Sequence, residues 1–315
     1  MCYNTEYVNS ISQVSLDDKY EIEYHAVMKY TIKDFNKQFK TDEACLAYIY
    51  KQRFPEGATC EKCGIKDHFY PVVSRRSYAC QCGFQLYPTV GTIFHKSPTS
   101  LRTWFFAMFL MTCSKNGVSA KELERQLGVT YKCAWRIAHQ IRQLLAEESA
   151  QLTGVVEADE TYIGGRHSGS RGRGALGKTP VIGVLERQGD VIAKVVTDTK
   201  RSTVVPHIVK NVAPTAMVMT DEYRIYATLP KGGYKHRVVN HSAKEYVRGM
   251  IHTNTIEGFW SQLKRSINGT FHSVSRKHLQ KYVNEFSYRY NRRKSGTPMF
   301  LHLVADVAAQ HAPAV

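Results

Sequence analysis

Apolar and polar positions alternate with different periods along the chain, and the changes of period mark its parts. Across 101–111, 120–127 and 131–145 apolar residues recur about every 3.6 positions. That period places them on one helix face, so three helices are predicted, the last two separated by Leu127-Gly128-Val129-Thr130. From Leu152 the pattern becomes strand-like. Val155 and Val156, then 181–185 and 191–196, are β-branched apolar runs with short turns between them. Helical and strand segments alternate through 203–240, and two longer helices are expected at about 254–268 and 276–291. Upstream, residues 41–50 read as a short helix, with Thr41 as its cap and Asp42 and Glu43 in its first turn. Residues 58–92 are rich in Gly, Cys and aromatics and are expected to form short strands. The first 27 residues are polar, aperiodic and expected to be poorly ordered.

These shifts predict five parts. They are a flexible N-terminal extension (1–40), a helix plus Cys-rich module (41–95), a helical domain (96–150), an α/β domain (151–300) and a C-terminal tail (301–315). No repeat is present; the nearest thing to low complexity is the basic, Gly-rich stretch 164–174.

Charge narrows the function classes. The 315 residues carry 43 Lys+Arg against 27 Asp+Glu, a net charge of +16, which calls for a polyanionic partner: nucleic acid or an anionic membrane surface. The start, Met1-Cys2-Tyr3-Asn4-Thr5-Glu6, has neither the basic cap nor the apolar run of a signal peptide. The most apolar stretch, 104–113, is about half the length a bilayer requires. Nucleic acid is therefore the expected partner, with no membrane role and no small-molecule substrate. The expected location is cytoplasmic, on the nucleoid if the source is bacterial.

Four of the eight cysteines form two tight pairs, Cys60-Glu61-Lys62-Cys63 and Cys80-Gln81-Cys82, with 16 residues between them. Paired spacing of this kind suits one tetrahedral, structural Zn²⁺ held by four thiolates. The stretch has too few apolar residues to make a core without metal. The second pair is one residue shorter than the usual spacing, and His68 is an alternative ligand.

In the helical domain, 119–129 and 130–137 read as helix, Gly-containing turn and helix, a helix-turn-helix. Thr130, Tyr131, Lys132, Arg136 and His139 are then expected to face out from the second helix, where a DNA major groove is read. An ordinary α-hairpin has the same pattern, and the basic charge favours the DNA-binding reading.

Three acids complete the chemistry. Asp159 is expected at a strand end and shares a face with Val155 and Glu157; Glu157 and Glu160 compete for its role. Asp221 follows the strand-like Met217-Val218-Met219-Thr220. Glu257 follows with 35 residues between, and Lys264 follows it by seven positions on the same helix face. Asn254 and Glu257 fit a capping box. Strand-end acids joined by a helical one suit divalent cations with open positions for phosphate. Lys264, Arg265 and Arg292 belong to a basic series on the last helices, expected to track the phosphate backbone.

In order, the zinc knuckles, Val90-Gly91-Thr92-Ile93-Phe94, Trp104-Phe105-Phe106-Ala107, Glu157-Ala158-Asp159-Glu160-Thr161-Tyr162-Ile163-Gly164-Gly165, His252-Thr253-Asn254-Thr255-Ile256-Glu257-Gly258-Phe259-Trp260, Leu263-Lys264-Arg265 and Arg289-Tyr290-Asn291 resemble the insertion-sequence DDE transposases of the ISXO type. The resemblance covers about residues 41–295. It implies an α/β ribonuclease-H-like catalytic domain behind a small zinc ribbon and a helix-turn-helix domain. It implies Mg²⁺ (or Mn²⁺) held by Asp159, Asp221 and a third residue, and action on the terminal inverted repeats of the element. Some relatives carry Asn at the third position, matching Asn254; the distances to Asp221 and Lys264 favour Glu257 here, with Asn254 in support. The expected partners are double-stranded DNA, as transposon ends and target, and further copies of the chain on that DNA. The rival expectations are a domesticated DNA-binding protein that no longer transposes and a nuclease of the same fold.

Overall fold

The computed structural model describes residues 30–72, 74–146, 150–164, 177–240, 247 and 249–309. The expected disorder of residues 1–27 and most of the basic stretch 164–174 fall outside them.

The chain begins earlier as structure than its pattern suggests. Residues 32–38 form a helix, α1 (Ile32–Gln38), held by a capping box between Thr31 and Asp34. Phe35 and the following Phe39 are fully buried against Phe105, Phe109 and Phe300. The assignment of 1–40 to a flexible extension is therefore corrected from residue 30 onward. The tail is corrected likewise: α9 (Met299–Ala309) runs well past residue 301 and buries Phe300, Leu303, Val304 and Val307. Its partners are the N-terminal helices α2 (Asp42–Arg53) and α3 (Leu101–Cys113). Both ends of the described chain thus close one helical core, shared with α4 (Ala120–Leu127) and α5 (Tyr131–Leu144).

Between α2 and α3 lies a three-stranded antiparallel sheet of β1 (Phe69–Val72), β2 (Ser77–Cys80) and β3 (Gln85–Leu86). Tyr78 of β2 stacks on Tyr50 of α2, with ring centroids 4.2 Å apart, and ties the module to the helices.

The second half is a five-stranded mixed sheet. Its strands are β4 (Val155–Ile163), β5 (Thr179–Glu186), β6 (Val191–Val195), β7 (Met217–Thr220) and β8 (Lys235–Val238), in the order β6-β5-β4-β7-β8. The pairs β4/β5 and β5/β6 are antiparallel; β4/β7 and β7/β8 are parallel. Strand β5 is buried at all but its last position, as its unbroken apolar run requires. One face of the sheet is covered by α6 (Arg201–Asn211) and Tyr226, the other by α7 (Asn254–Ser266) and α8 (Leu279–Asn291). The free backbone of β6 is paired by amide side chains of α8. Asn291 both donates to and accepts from Val191, and Gln280 accepts from Val195 N and donates to Ala193 O. These bonds do what a sixth strand would do and close the edge.

The helical core and the sheet are joined by a buried ion cluster. Arg142 of α5 donates to Glu285 of α8 at 2.6 Å, both side chains being 1% exposed. Arg289 donates to the other oxygen of Glu285 and to carbonyls of Met111 and Ser114 at the end of α3.

Candidate active site and zinc module

Asp159 lies in the middle of β4, not at its end as expected, because β4 continues pairing with β5 as far as Ile163. What ends near Asp159 is the pairing with β7, whose last register pair on β4 is Glu157↔Met219. Asp159 and Asp221 each lie two residues beyond that pair. The two acids therefore emerge side by side where adjacent parallel strands separate, the place where open α/β sheets present ligand-binding groups.

Alternation then sorts the neighbouring acids. Glu160, on the opposite face, is buried and accepts a 2.7 Å hydrogen bond from the Tyr226 hydroxyl. Glu157 shares the face of Asp159 but is fully buried and turned onto the start of α7. Both carboxylates are thus engaged by partners of their own.

Helix α7 crosses this face. Trp260 donates from Nε1 to Asp159 Oδ2 at 3.1 Å. Its ring can lie so close because the antiparallel partner of Asp159 is Gly183, where a Cβ would stand 2.6 Å from the indole. Glu257 is in the first turn of α7, exposed, and accepts from the Thr253 hydroxyl at 2.9 Å. The helix cap is Thr253 rather than Asn254, so the expected Asn254–Glu257 capping box is corrected. Asn254 is the exposed first residue of the helix.

Burial raises the Asp159 carboxyl to about 7, reinforced by the negative charges of Glu160, Asp221 and Glu257. Burial lowers the Lys264 pKa; the charge of Asp159 opposes this and Lys178 adds to it. Asp159 thus feels Asp221 and Glu257, and Lys264 feels Asp159. The three acids do not close to single-ion distance: among the described residues, the cysteine cluster alone brings three or more Cys, His, Asp or Glu ligand atoms within 4.8 Å. Hard carboxylate oxygens grouped around a buried Asp159, whose ionisation they oppose, fit a divalent cation.

In the N-terminal module, the sulfur atoms of Cys60, Cys63, Cys80 and Cys82 all lie within 4.8 Å of one another. Cys60–Cys82 and Cys63–Cys80 are 3.5 and 3.6 Å apart, close to the ~3.8 Å edge of a tetrahedron with ~2.3 Å Zn–S bonds. Burial opposes ionisation of Cys60, but backbone amides of Cys63 and Lys62 aimed at its sulfur outweigh it, and its pKa falls to about 7. The short second knuckle works because Gly83, at φ 84°, turns the chain directly after Cys82. The four residues fit a structural zinc, and His68 lies outside the cluster.

Helices α4 and α5 form as expected, joined through Gly128 in the left-handed conformation, with Thr130 capping α5. Tyr131 and Lys132 are exposed. His139 is not: it is buried against Trp135 and His278, and its pKa falls to about 4 through desolvation, aided by Arg142. Arg136 is half-buried, donating to the Thr99 hydroxyl with its guanidinium over the Trp104 ring. It too departs from the expected outward position. Arg265 is exposed beside Lys264, whereas Arg292 packs its guanidinium over the ring of Tyr288.

The residues missed by sequence reasoning are Trp260 as partner of Asp159, Gly183, Arg187 and Tyr226. A glycine inside an apolar strand was the one available signal, for Gly183.

The fold and site define a protein of three parts: a four-cysteine zinc module, a helical core, and a mixed-sheet domain on which Asp159 and Asp221 emerge side by side. Residues 151–291 match the ISXO2-like transposase domain, and residues 40–85 match a transposase zinc-ribbon domain. The chain is 27% identical over 278 residues, 80% of its length and 92% of the relative's, to a protein in transposable element ISH50 of Halobacterium salinarum. It is 30% identical over 101 residues to a transposase-like protein of Haemophilus influenzae, covering 32% of this chain and 80% of that one. Among solved structures it is similar to a chain of the Mos1 pre-cleavage transpososome, at TM-score 0.30 and 10% identity, over 62% of this chain and 76% of that one. It is also similar to a chain of a simian T-cell lymphotropic virus intasome complex, at TM-score 0.28 and 11% identity, over 58% of this chain and 65% of that one. The chain belongs to the ISXO2-like transposases. Among the described residues no helix is long and apolar enough to cross a membrane.

Proposed function

We propose that this transposase binds the terminal inverted repeats of its insertion sequence and catalyses cleavage and strand transfer there, on a ribonuclease-H-like domain. One observation carries this reading. Asp159 and Asp221 stand level beyond the last β4/β7 register pair, and Glu257 lies within electrostatic reach on the helix crossing them.

Asp159, Asp221 and Glu257 would hold Mg²⁺ or Mn²⁺, which supplies charge neutralisation at phosphate and a stronger oxygen nucleophile. Trp260 fixes the rotamer of Asp159, and Thr253 that of Glu257. Lys264, two turns along α7 on the face of Glu257, would bind the phosphate beside the scissile bond. In the first reaction the oxygen of water bonds to phosphorus and the bond to the 3′-oxygen breaks, freeing a 3′-hydroxyl. In the second that hydroxyl attacks a target phosphodiester and displaces its 3′-oxygen. The zinc module, with α4 and α5, would recognise the element ends; Lys132 is the exposed base on α5, and Arg265 and Arg292 would add backbone contacts.

The test is incubation of the purified protein with labelled end DNA and Mg²⁺. A nick leaving a 3′-hydroxyl at the element boundary is expected from the native chain and none from Asp159→Asn. Tight, end-specific binding without any cleavage would instead identify a domesticated DNA-binding protein.

A further inference from the structure

A buried charge is costly unless donors surround it. Glu157 is fully buried, and its donors come from two other elements. Oε2 accepts from the backbone N–H of Thr255 and of Ile256, each at 2.9 Å. Oε1 accepts from the Thr255 hydroxyl at 2.9 Å and from Arg187 Nε at 2.7 Å. His252 Nδ1 stands 3.2 Å from the same oxygen, without hydrogen-bond geometry. Arg187 in turn donates to the carbonyls of Met250 and His252, at 2.7 and 2.9 Å, and so holds the segment entering α7.

A helix leaves its first N–H groups unpaired, and a Ser, Thr or Asp at its own cap normally satisfies them. The Thr253 side chain makes no such bond. Two of these N–H groups are capped instead by a carboxylate nearly 100 residues away in sequence. A remote cap costs the burial of a charge. What it adds over a local one is a fixed relation between two elements. Those elements carry the acids: Glu157 lies two residues before Asp159 on the same face of β4, and Glu257 directly follows Ile256.

We propose that Glu157 is a positioning residue which, with Arg187, sets the separation of Asp159 and Glu257 and so shapes the divalent-cation site. The inference rests on the role given to those acids under Proposed function. Glu157 acts through the other two and touches neither DNA nor cation.

The experiment measures Mn²⁺ binding to the full, zinc-loaded chain by the loss of the free-ion electron paramagnetic resonance signal, with folding followed by circular dichroism. Asp159→Asn is expected to lose most Mn²⁺ binding. Glu157→Gln keeps the size of the side chain but loses the charge and one acceptor. It is expected to weaken Mn²⁺ binding roughly 10- to 100-fold, the range typical of residues that orient metal ligands. Its cleavage of end DNA should recover in part at high Mn²⁺, a requirement that a purely stabilising residue would not shift. Thr255→Val, which deletes a single donor, is expected to weaken binding roughly threefold. Native Mn²⁺ affinity in Asp159→Asn would refute the acid site, and this proposal with it. Loss in Asp159→Asn but native affinity in a folded Glu157→Gln would leave the acid site standing and overturn the positioning role. If Glu157→Gln does not fold, Thr255→Val decides: unchanged affinity overturns the proposal.

Discussion

Ionisation of the buried Asp159 works against folding. Its carboxyl is raised from an ordinary 3.8 to about 7 by burial, then by Glu160, Asp221 and Glu257; Lys264 is the cation facing it. A folded-state pKa above the unfolded value means that stability is full at low pH and falls as Asp159 ionises. For the metal-free chain the loss runs from about pH 4 to about pH 7 and reaches up to about 4 kcal/mol from this group. Asp159→Asn should therefore unfold at a higher temperature than the native chain at pH 8, with the gap closing toward pH 4. Calorimetry at the two pH values checks this, and equal melting temperatures at pH 8 would count against the raised pKa. Asp159, Asp221 and Glu257 were legible in the sequence as acids at suggestive spacings. The separate tasks of Glu157 and Glu160 were not, because alternation assigns a face but not what covers it. Trp260 read as one more aromatic on a basic helix, since its bond to Asp159 spans 101 residues.

At the scale of elements, remote capping recurs. Asp42 of α2 accepts from the backbone N–H groups of Leu101 and Arg102 at the start of α3, at 3.0 and 2.9 Å, as Glu157 does for α7. Local signals for helices α2 to α5 and for the knuckles were readable because period, caps and Cys spacing are short-range properties. Helices α1 and α9 were not, since the apolar face of each is buried by the other end of the chain. Gly183 tests the packing of α7 on the sheet. The Cβ in Gly183→Ala would overlap the Trp260 ring, so the ring, or the helix that carries it, must move. Cleavage is expected to fall at least tenfold while DNA binding by gel shift persists; native cleavage would show that Trp260 does not position Asp159. In the zinc module, Cys63→Ser should release the metal and unfold residues 58–92, because the stretch has little core of its own. The sheet domain should stay folded. Limited proteolysis and zinc analysis check both, and a zinc-free but protease-resistant module would contradict the assignment.

For the whole molecule, the cluster of Arg142, Glu285 and Arg289 makes the helical core and the sheet domain one structure. Arg142 also lies over the rings of Phe271 and Tyr282, at 5.1 and 4.2 Å. Burial opposes ionisation of Glu285, but Arg142 and Arg289 outweigh it, and its pKa falls below the usual range. Glu285→Ala strands two arginines and should cost about 3–5 kcal/mol in urea unfolding; a change near zero would mean the domains do not depend on this tie. The sequence showed Glu285 and Arg289 only as part of a basic, helical C-terminal region, and Arg142 only as one residue of the helix at 131–145. The +16 charge predicts DNA affinity that falls steeply with salt. The central claim is that Asp159, Asp221 and Glu257 form one metal-dependent site for DNA strand chemistry. It is tested most directly by single-turnover cleavage of end DNA in Mg²⁺, with binding followed in parallel, for Asp159→Asn, Asp221→Asn, Glu257→Gln and Asn254→Ala. The account predicts that the first three bind but do not cut, and that Asn254→Ala, altering an exposed residue that does not cap α7, keeps most of its activity. Near-native cleavage by Glu257→Gln together with an inactive Asn254→Ala would contradict it.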